Sequence, residues 1–178
     1  MTAESIRARP AEPPDTCPLR DVCVESWRRA YAGLLPDAYV EANLETFYTA
    51  DRLRREIEAP GEAGRWLVAV ESGASSPAGR VFGAGRGTPP MDGRCEVFTL
   101  YVHPEYQGRR AGSTLLSTIT AEQRAEGGRE QVVEVFAGHE PAIGFYEHHG
   151  FDRIGERRTD VVAAVDLDHR TIRMAREI

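Results

Sequence analysis

Apolar positions in the first third of the chain recur at helical spacing. Leu19, Val22, Cys23, Ser26 and Ala30 fall on one face, after Asp15 or Thr16 as a cap and with Pro18 in the first turn. Gly33 and Pro36 interrupt that pattern. A second helix is predicted from Pro36 or Asp37, with Tyr39, Val40 and Leu44 on one side. A third, more charged helix is predicted over residues 46–59, stopped by Pro60 and Gly61. Residues 1–15 read as a loose arm with room for a short strand at residues 5–9.

The period then shortens from helical to alternating. Residues 66–70 form a short apolar run, and residues 72–77 a small polar turn. Residues 80–87 read as a strand in which Gly83, Gly85 and Gly87 invite close backbone contact. Residues 95–102 are the strongest strand, rich in β-branched and aromatic side chains. A helix follows at residues 110–125, a strand at 131–136 and a short helix from Pro141 to His149, ended by Gly150. Residues 151–157 and 170–174 supply two last strands. No internal repeat or domain-scale linker interrupts this order. It predicts one α+β domain over residues 1–178, layered α/β/α around a mixed sheet.

The 178 residues suffice to bury roughly 70% of the surface an unfolded chain exposes. The net charge of -6 argues against a nucleic-acid partner, whose phosphates call for a basic face. Three cysteines, Cys17, Cys23 and Cys95, show no metal-site spacing and suit reduced thiols in the cytoplasm. No metal is expected. No apolar run approaches the ~20 residues that cross a bilayer, and the polar N-terminus has no apolar signal core, so no membrane association is expected.

One loop carries a charge pattern of its own. Gln107, Gly108, Arg109, Arg110, Ala111 and Gly112 follow the strong strand and open a helix. First-turn amides of a helix have no internal partners, and the helix dipole adds positive potential there. Small residues let a phosphate approach the backbone, and the two arginines add charge. The loop suits a pyrophosphate. It lacks the Gly-Lys-Ser/Thr of nucleotide triphosphatases, and its dinucleotide glycine pattern is incomplete.

The stretch from Glu96 to Leu116 resembles the acyl-CoA-binding core of the GNAT superfamily of N-acetyltransferases. It shows Tyr101-Val102-His103-Pro104, then Gln107 to Gly112, then Leu115-Leu116. About thirty residues on, His139-Glu140-Pro141-Ala142-Ile143-Gly144-Phe145-Tyr146-Glu147-His148-His149-Gly150-Phe151 resembles the second family motif. The segment from Ser26 to Pro36 is similar to the first helix of a bacterial subgroup whose substrates are mostly unassigned. The resemblance implies a twisted mixed sheet of six or seven strands with about four helices. Two positions depart from the pattern: Arg110 stands where Gly is usual, and His139 where Asn is usual.

What the resemblance implies about chemistry is specific. Acetyl-CoA would be the co-substrate, held by Leu100, Tyr101, Val102, Gln107 to Gly112, Ser113, His139, Ala142 and Tyr146. The amide of Tyr101 or its neighbour would polarise the thioester carbonyl. Tyr146 would protonate the leaving thiolate, and Glu96 would take the ammonium proton, with Glu134 a weaker candidate. Such proton transfers belong to groups within hydrogen-bond reach of the reacting atoms. Trp27 and Tyr31, with Tyr39, Phe47 and Tyr48, would wall the acceptor side. The expected partner is an amine on a small molecule or a peptide, attacked in a ternary complex. A homodimer is compatible with the resemblance. A non-catalytic acyl-CoA-binding module or sensor is the alternative, and a dinucleotide binder lacks the acidic residue expected after the loop.

Overall fold

The computed structural model describes residues 6–71, 80–160, 162–163, 165 and 167–178. The expected turn at residues 72–77 lies outside them.

The N-terminal arm is a strand, β1 (Ile6–Pro10), paired antiparallel with β2 (Leu67–Glu71). It is fixed at its end by the buried Asp15, whose carboxylate accepts from Arg9 at 2.6 Å and from the Glu12 amide at 2.8 Å. Next comes α1 (Thr16–Tyr31), which buries Leu19, Val22, Cys23 and Trp27 along one face. α2 (Asp37–Phe47) and α3 (Ala50–Glu58) follow. The single helix predicted over residues 46–59 is therefore corrected. The chain breaks at Tyr48, and Thr49 takes an extended conformation, where its hydroxyl caps the Arg52 amide at 3.4 Å. The threonine cap satisfies a first-turn donor that the break leaves without a helical acceptor.

The remaining elements are β3 (Val81–Gly87), β4 (Arg94–Val102), α4 (Ala111–Ala125), β5 (Glu130–Phe136), α5 (Glu140–His148), β6 (Asp152–Arg158) and β7 (Arg170–Glu177). The seven strands form one mixed sheet in the order β1-β2-β3-β4-β5-β7-β6. Every pairing is antiparallel except β4 with β5. That parallel pairing is short: Arg94, Cys95 and Glu96 face Glu130, Gln131 and Val132, and then the strands part. The described residues hold five α-helices, in keeping with the about four that the family resemblance implies.

Two cores sandwich the sheet. On one face α1 to α3 pack Trp27, Tyr39, Leu53 and Trp66. On the other, α4 and α5 pack Leu115, Ile119, Ile143 and Phe151. Close packing of α4 depends on glycine in β3. A Cβ on Gly87 would stand 2.6 Å from both Gln123 Nε2 and Ile119 Cγ2, below any real contact distance. Gln123 needs that space, because its amide donates to the carbonyls of Thr88 (3.0 Å) and Glu96 (2.9 Å) and thereby ties α4 to the start of β4.

Candidate active site

The parting of β4 and β5 leaves one side of β4 unpaired from Val97 onward. The direction of each peptide there follows from the register. The carbonyls of Thr99 and Tyr101 face β3, lying 3.0 and 2.9 Å from where Cβ atoms on Gly85 and Gly83 would stand. The His103 amide donates to the Phe82 carbonyl at 2.9 Å. Successive residues of a strand turn their polar groups to opposite sides. The amides turned into the gap are therefore those of Leu100 and Val102, the neighbours of Tyr101, and not that of Tyr101 itself. On the same side the Val102 carbonyl accepts the Ser26 hydroxyl of α1 at 2.9 Å. Phe98 has no partner in β3, since Val97 faces Gly87 and Thr99 faces Arg86. This bulge bends β4 where it leaves β5.

Aromatic side chains gather at the open end of the gap. The Tyr101 hydroxyl accepts from the Trp27 indole at 2.8 Å and bonds the Tyr48 hydroxyl at 2.9 Å. Trp27 keeps only 5% of its surface exposed and Tyr31 8%. The only polar side-chain atom of Trp27 is used inside the cluster. Tyr31 packs edge-on against Trp27, Phe136 and His139. Burial raises the Tyr31 phenol well above its usual value, and the neighbouring Tyr101 and Tyr146 add to that. Burial also raises the Tyr146 phenol, which packs between Phe145 and Phe151 on α5. Tyr31 and Tyr146 thus come from helices on opposite faces of the sheet and meet electrostatically. Both stay protonated across the physiological range.

Glu96 is half-buried on β4. Burial raises its carboxyl above the ordinary range, the charge of Glu134 raises it further, and Arg173 and Arg157 act the other way. Glu134 itself is committed. Its carboxylate accepts from Arg157 Nε at 3.0 Å, and the same guanidinium donates to Asp160 at 2.8 and 3.0 Å. The pairing engages the carboxylate that the resemblance already made the weaker candidate.

The predicted phosphate loop ends where expected. α4 begins at Ala111, and its first helical bond runs from the Thr114 amide to the Arg110 carbonyl at 2.9 Å. The amides of Ala111, Gly112 and Ser113 precede it and have no helical acceptor. Gly108 has φ +80°, while Gln107 and Gly108 are exposed. The Arg109 guanidinium lies over the rings of Tyr106 (5.7 Å) and Phe82 (5.9 Å), beside a cavity of about 480 Å³. Arg110 caps the helix with φ 66°, the left-handed region that the usual glycine would occupy without strain. Relief of that strain exceeds the entropy glycine adds to the unfolded chain, so Arg110→Gly is expected to raise stability by up to ~1 kcal/mol. Thermal unfolding reads this as a higher Tm.

His139 precedes α5, and its carbonyl accepts from the Ala142 and Ile143 amides at 3.1 Å each. Its side chain caps nothing; it lies 5.3 Å from the Tyr31 ring, and burial lowers its pKa. Ala142 is partly buried in the α4–α5 core. Sequence reasoning missed one contact here. His149 at the end of α5 bonds Ser113 in the first turn of α4. Among the described residues, no helix is long and apolar enough to cross a membrane.

Comparison with known proteins bears on this geometry. The family model described as the acetyltransferase (GNAT) family matches residues 24–151. A spermidine N(1)-acetyltransferase of Thermoplasma acidophilum is 26% identical over 147 residues, covering 83% of this chain and 88% of that protein. The crystal structure of the PaiA N-acetyltransferase of Thermoplasma acidophilum, in complex with coenzyme A, superposes with a TM-score of 0.76 at 23% identity, over 98% of this chain and 99% of that one. A ribosomal-protein-alanine N-acetyltransferase of Brucella melitensis superposes with a TM-score of 0.69 at 19% identity, over 96% and 99% of the two chains.

Proposed function

The chain belongs to the GNAT acetyltransferase family, and from that premise we propose that it moves the acetyl group of acetyl-CoA directly to a primary amine, with both substrates bound together. The observation that carries this reading is the gap between β4 and β5, with the Leu100 amide turned into it and the Tyr146 phenol near enough to Tyr31 to raise it. A pantetheine arm laid along the free side of β4 would reach from the first turn of α4 to that phenol. The Leu100 amide would then stabilise the oxyanion as the thioester carbon becomes tetrahedral, as a preorganised backbone donor does in other acyl transfers.

The proton path uses two groups of opposite disposition. Glu96, raised toward neutral pH, takes a proton from the ammonium, directly or through water, so that the amine can attack. Collapse of the intermediate breaks the C–S bond: Tyr146 donates its proton to the sulfur, the second nitrogen proton returns to Tyr146 through water, and Glu96 releases its proton to solvent. The acceptor favoured is a small aliphatic polyamine. The spermidine N(1)-acetyltransferase relative supports that class.

Thiol release from acetyl-CoA, measured against spermidine, other polyamines, aminoglycosides, amino acids and peptides, tests the reading. Turnover with a polyamine is expected, and tight CoA binding without turnover on any amine would contradict catalysis. A pH profile tests the base. Glu134→Gln removes a charge that raises Glu96, so the Glu96 carboxyl falls and stays ionised to lower pH. The acidic limb of kcat/KM is therefore expected to move to lower pH in that variant.

A further inference from the structure

The end of α5 is held against the start of α4 by a contact with a fixed proton inventory. His149 Nδ1 lies 2.8 Å from the Phe145 carbonyl, and Nε2 lies 3.1 Å from the Ser113 hydroxyl. A carbonyl only accepts, so Nδ1 must carry a hydrogen. In the neutral ring Nε2 is then a bare acceptor, and Ser113 must donate its one hydroxyl hydrogen to it. The Ser113 hydroxyl so engaged has no hydrogen left for any other acceptor.

The surroundings leave little room for a different arrangement. The His149 ring stacks on Phe145 at 4.4 Å, and Phe145 in turn abuts Gly112, where a Cβ would come within 3.3 Å of its ring. From β7, Arg176 donates to the His149 carbonyl at 2.6 Å while also donating to Gln131 (2.9 Å) and Thr120 (2.9 Å). His148 on the same helix lies 5.3 Å away. The charged and titratable groups beside His149 in these contacts are thus Arg176, on its carbonyl, and His148, so the negative charge that would stabilise an imidazolium must arrive with a ligand.

We propose that His149 is a proton-linked positioning residue for the acyl-CoA: when phosphate oxygens dock on the first turn of α4, His149 takes up a proton from water and Ser113 turns its hydroxyl hydrogen from the imidazole to the phosphate. The balance is one proton in. Before binding, Ser113 O–H donates to Nε2; after it, Nε2–H donates to the Ser113 oxygen and the hydroxyl donates to the phosphate. Nδ1–H stays on the Phe145 carbonyl throughout, so the ring does not move and Tyr146, one residue along from Phe145, keeps its place. This rests on the reading that the first turn of α4 holds the CoA phosphates.

Calorimetry with 3′-dephospho-CoA tests it, because that ligand lacks the phosphomonoester that itself titrates near neutral pH. Titrations at pH 8 in two buffers of different ionisation enthalpy report the protons taken up. Wild-type protein is expected to take up protons on binding, and its Kd to weaken as pH rises, by no more than about tenfold per pH unit. Ser113→Ala leaves the imidazole in place but removes the hydroxyl competition, and its uptake is expected to fall to near zero with a flat pH dependence. Uptake persisting undiminished in Ser113→Ala would overturn the relay, as would tight wild-type binding with no proton uptake. Failure of wild-type protein to bind the ligand at all would overturn the cofactor reading beneath it, and the relay with it.

Discussion

Tyr146→Phe is expected to lower kcat by about 10²–10³-fold while KM for acetyl-CoA changes little, the size of effect that loss of a positioned general acid produces. The substitution keeps the ring, and with it the edge contacts to Phe145 and Phe151 at 5.2 Å. Only the hydroxyl goes. Burial holds that phenol protonated, so it enters the reaction as an acid and not as a base. An unchanged kcat would make Tyr146 a packing residue of α5. Thermal unfolding of the same variant separates the two roles, since the fold should lose little from an isosteric change in an apolar pocket.

The second large effect belongs to Glu96. Glu96→Gln is expected to lower kcat/KM for the amine by about 10–100-fold near neutral pH, with the deficit shrinking as pH rises. The sign follows from the acceptor. At high pH a growing fraction of the amine is already neutral and needs no base. At lower pH the wild-type rate falls as Glu96 is protonated, and that limb starts above the ordinary carboxylate range because burial and Glu134 raise the group. The variant should lack the limb altogether. A profile that keeps its limb in Glu96→Gln would move the base elsewhere.

Much of the scaffold was legible because it is written in local patterns. The β-branched and aromatic run at residues 95–102 became β4, and the small residues after Gln107 opened α4 at Ala111. Leu19, Val22 and Cys23 did form the inner face of α1. What sequence could not give depends on register and on distant partners. The choice of Leu100 over Tyr101 turns on which way a peptide faces, and a single bulged residue, Phe98, helps set it. The gap itself has no signature, because Val133 and Val135 read the same in a strand paired on both sides as in one that has parted from β4. Glu134 was already the weaker candidate, but its engagement by Arg157, 23 residues along the chain, has no local signal. The burial of Trp27 is likewise set at a distance: its partner Tyr101 lies 74 residues away.

The most direct test of the account is a crystal structure of the protein with CoA bound. The account predicts the pyrophosphate on the amides of Ala111, Gly112 and Ser113, the pantetheine arm along the free side of β4, and the sulfur within hydrogen-bond reach of the Tyr146 hydroxyl. CoA bound with its sulfur away from the β4–β5 gap, or with Tyr146 turned from it, would contradict the account.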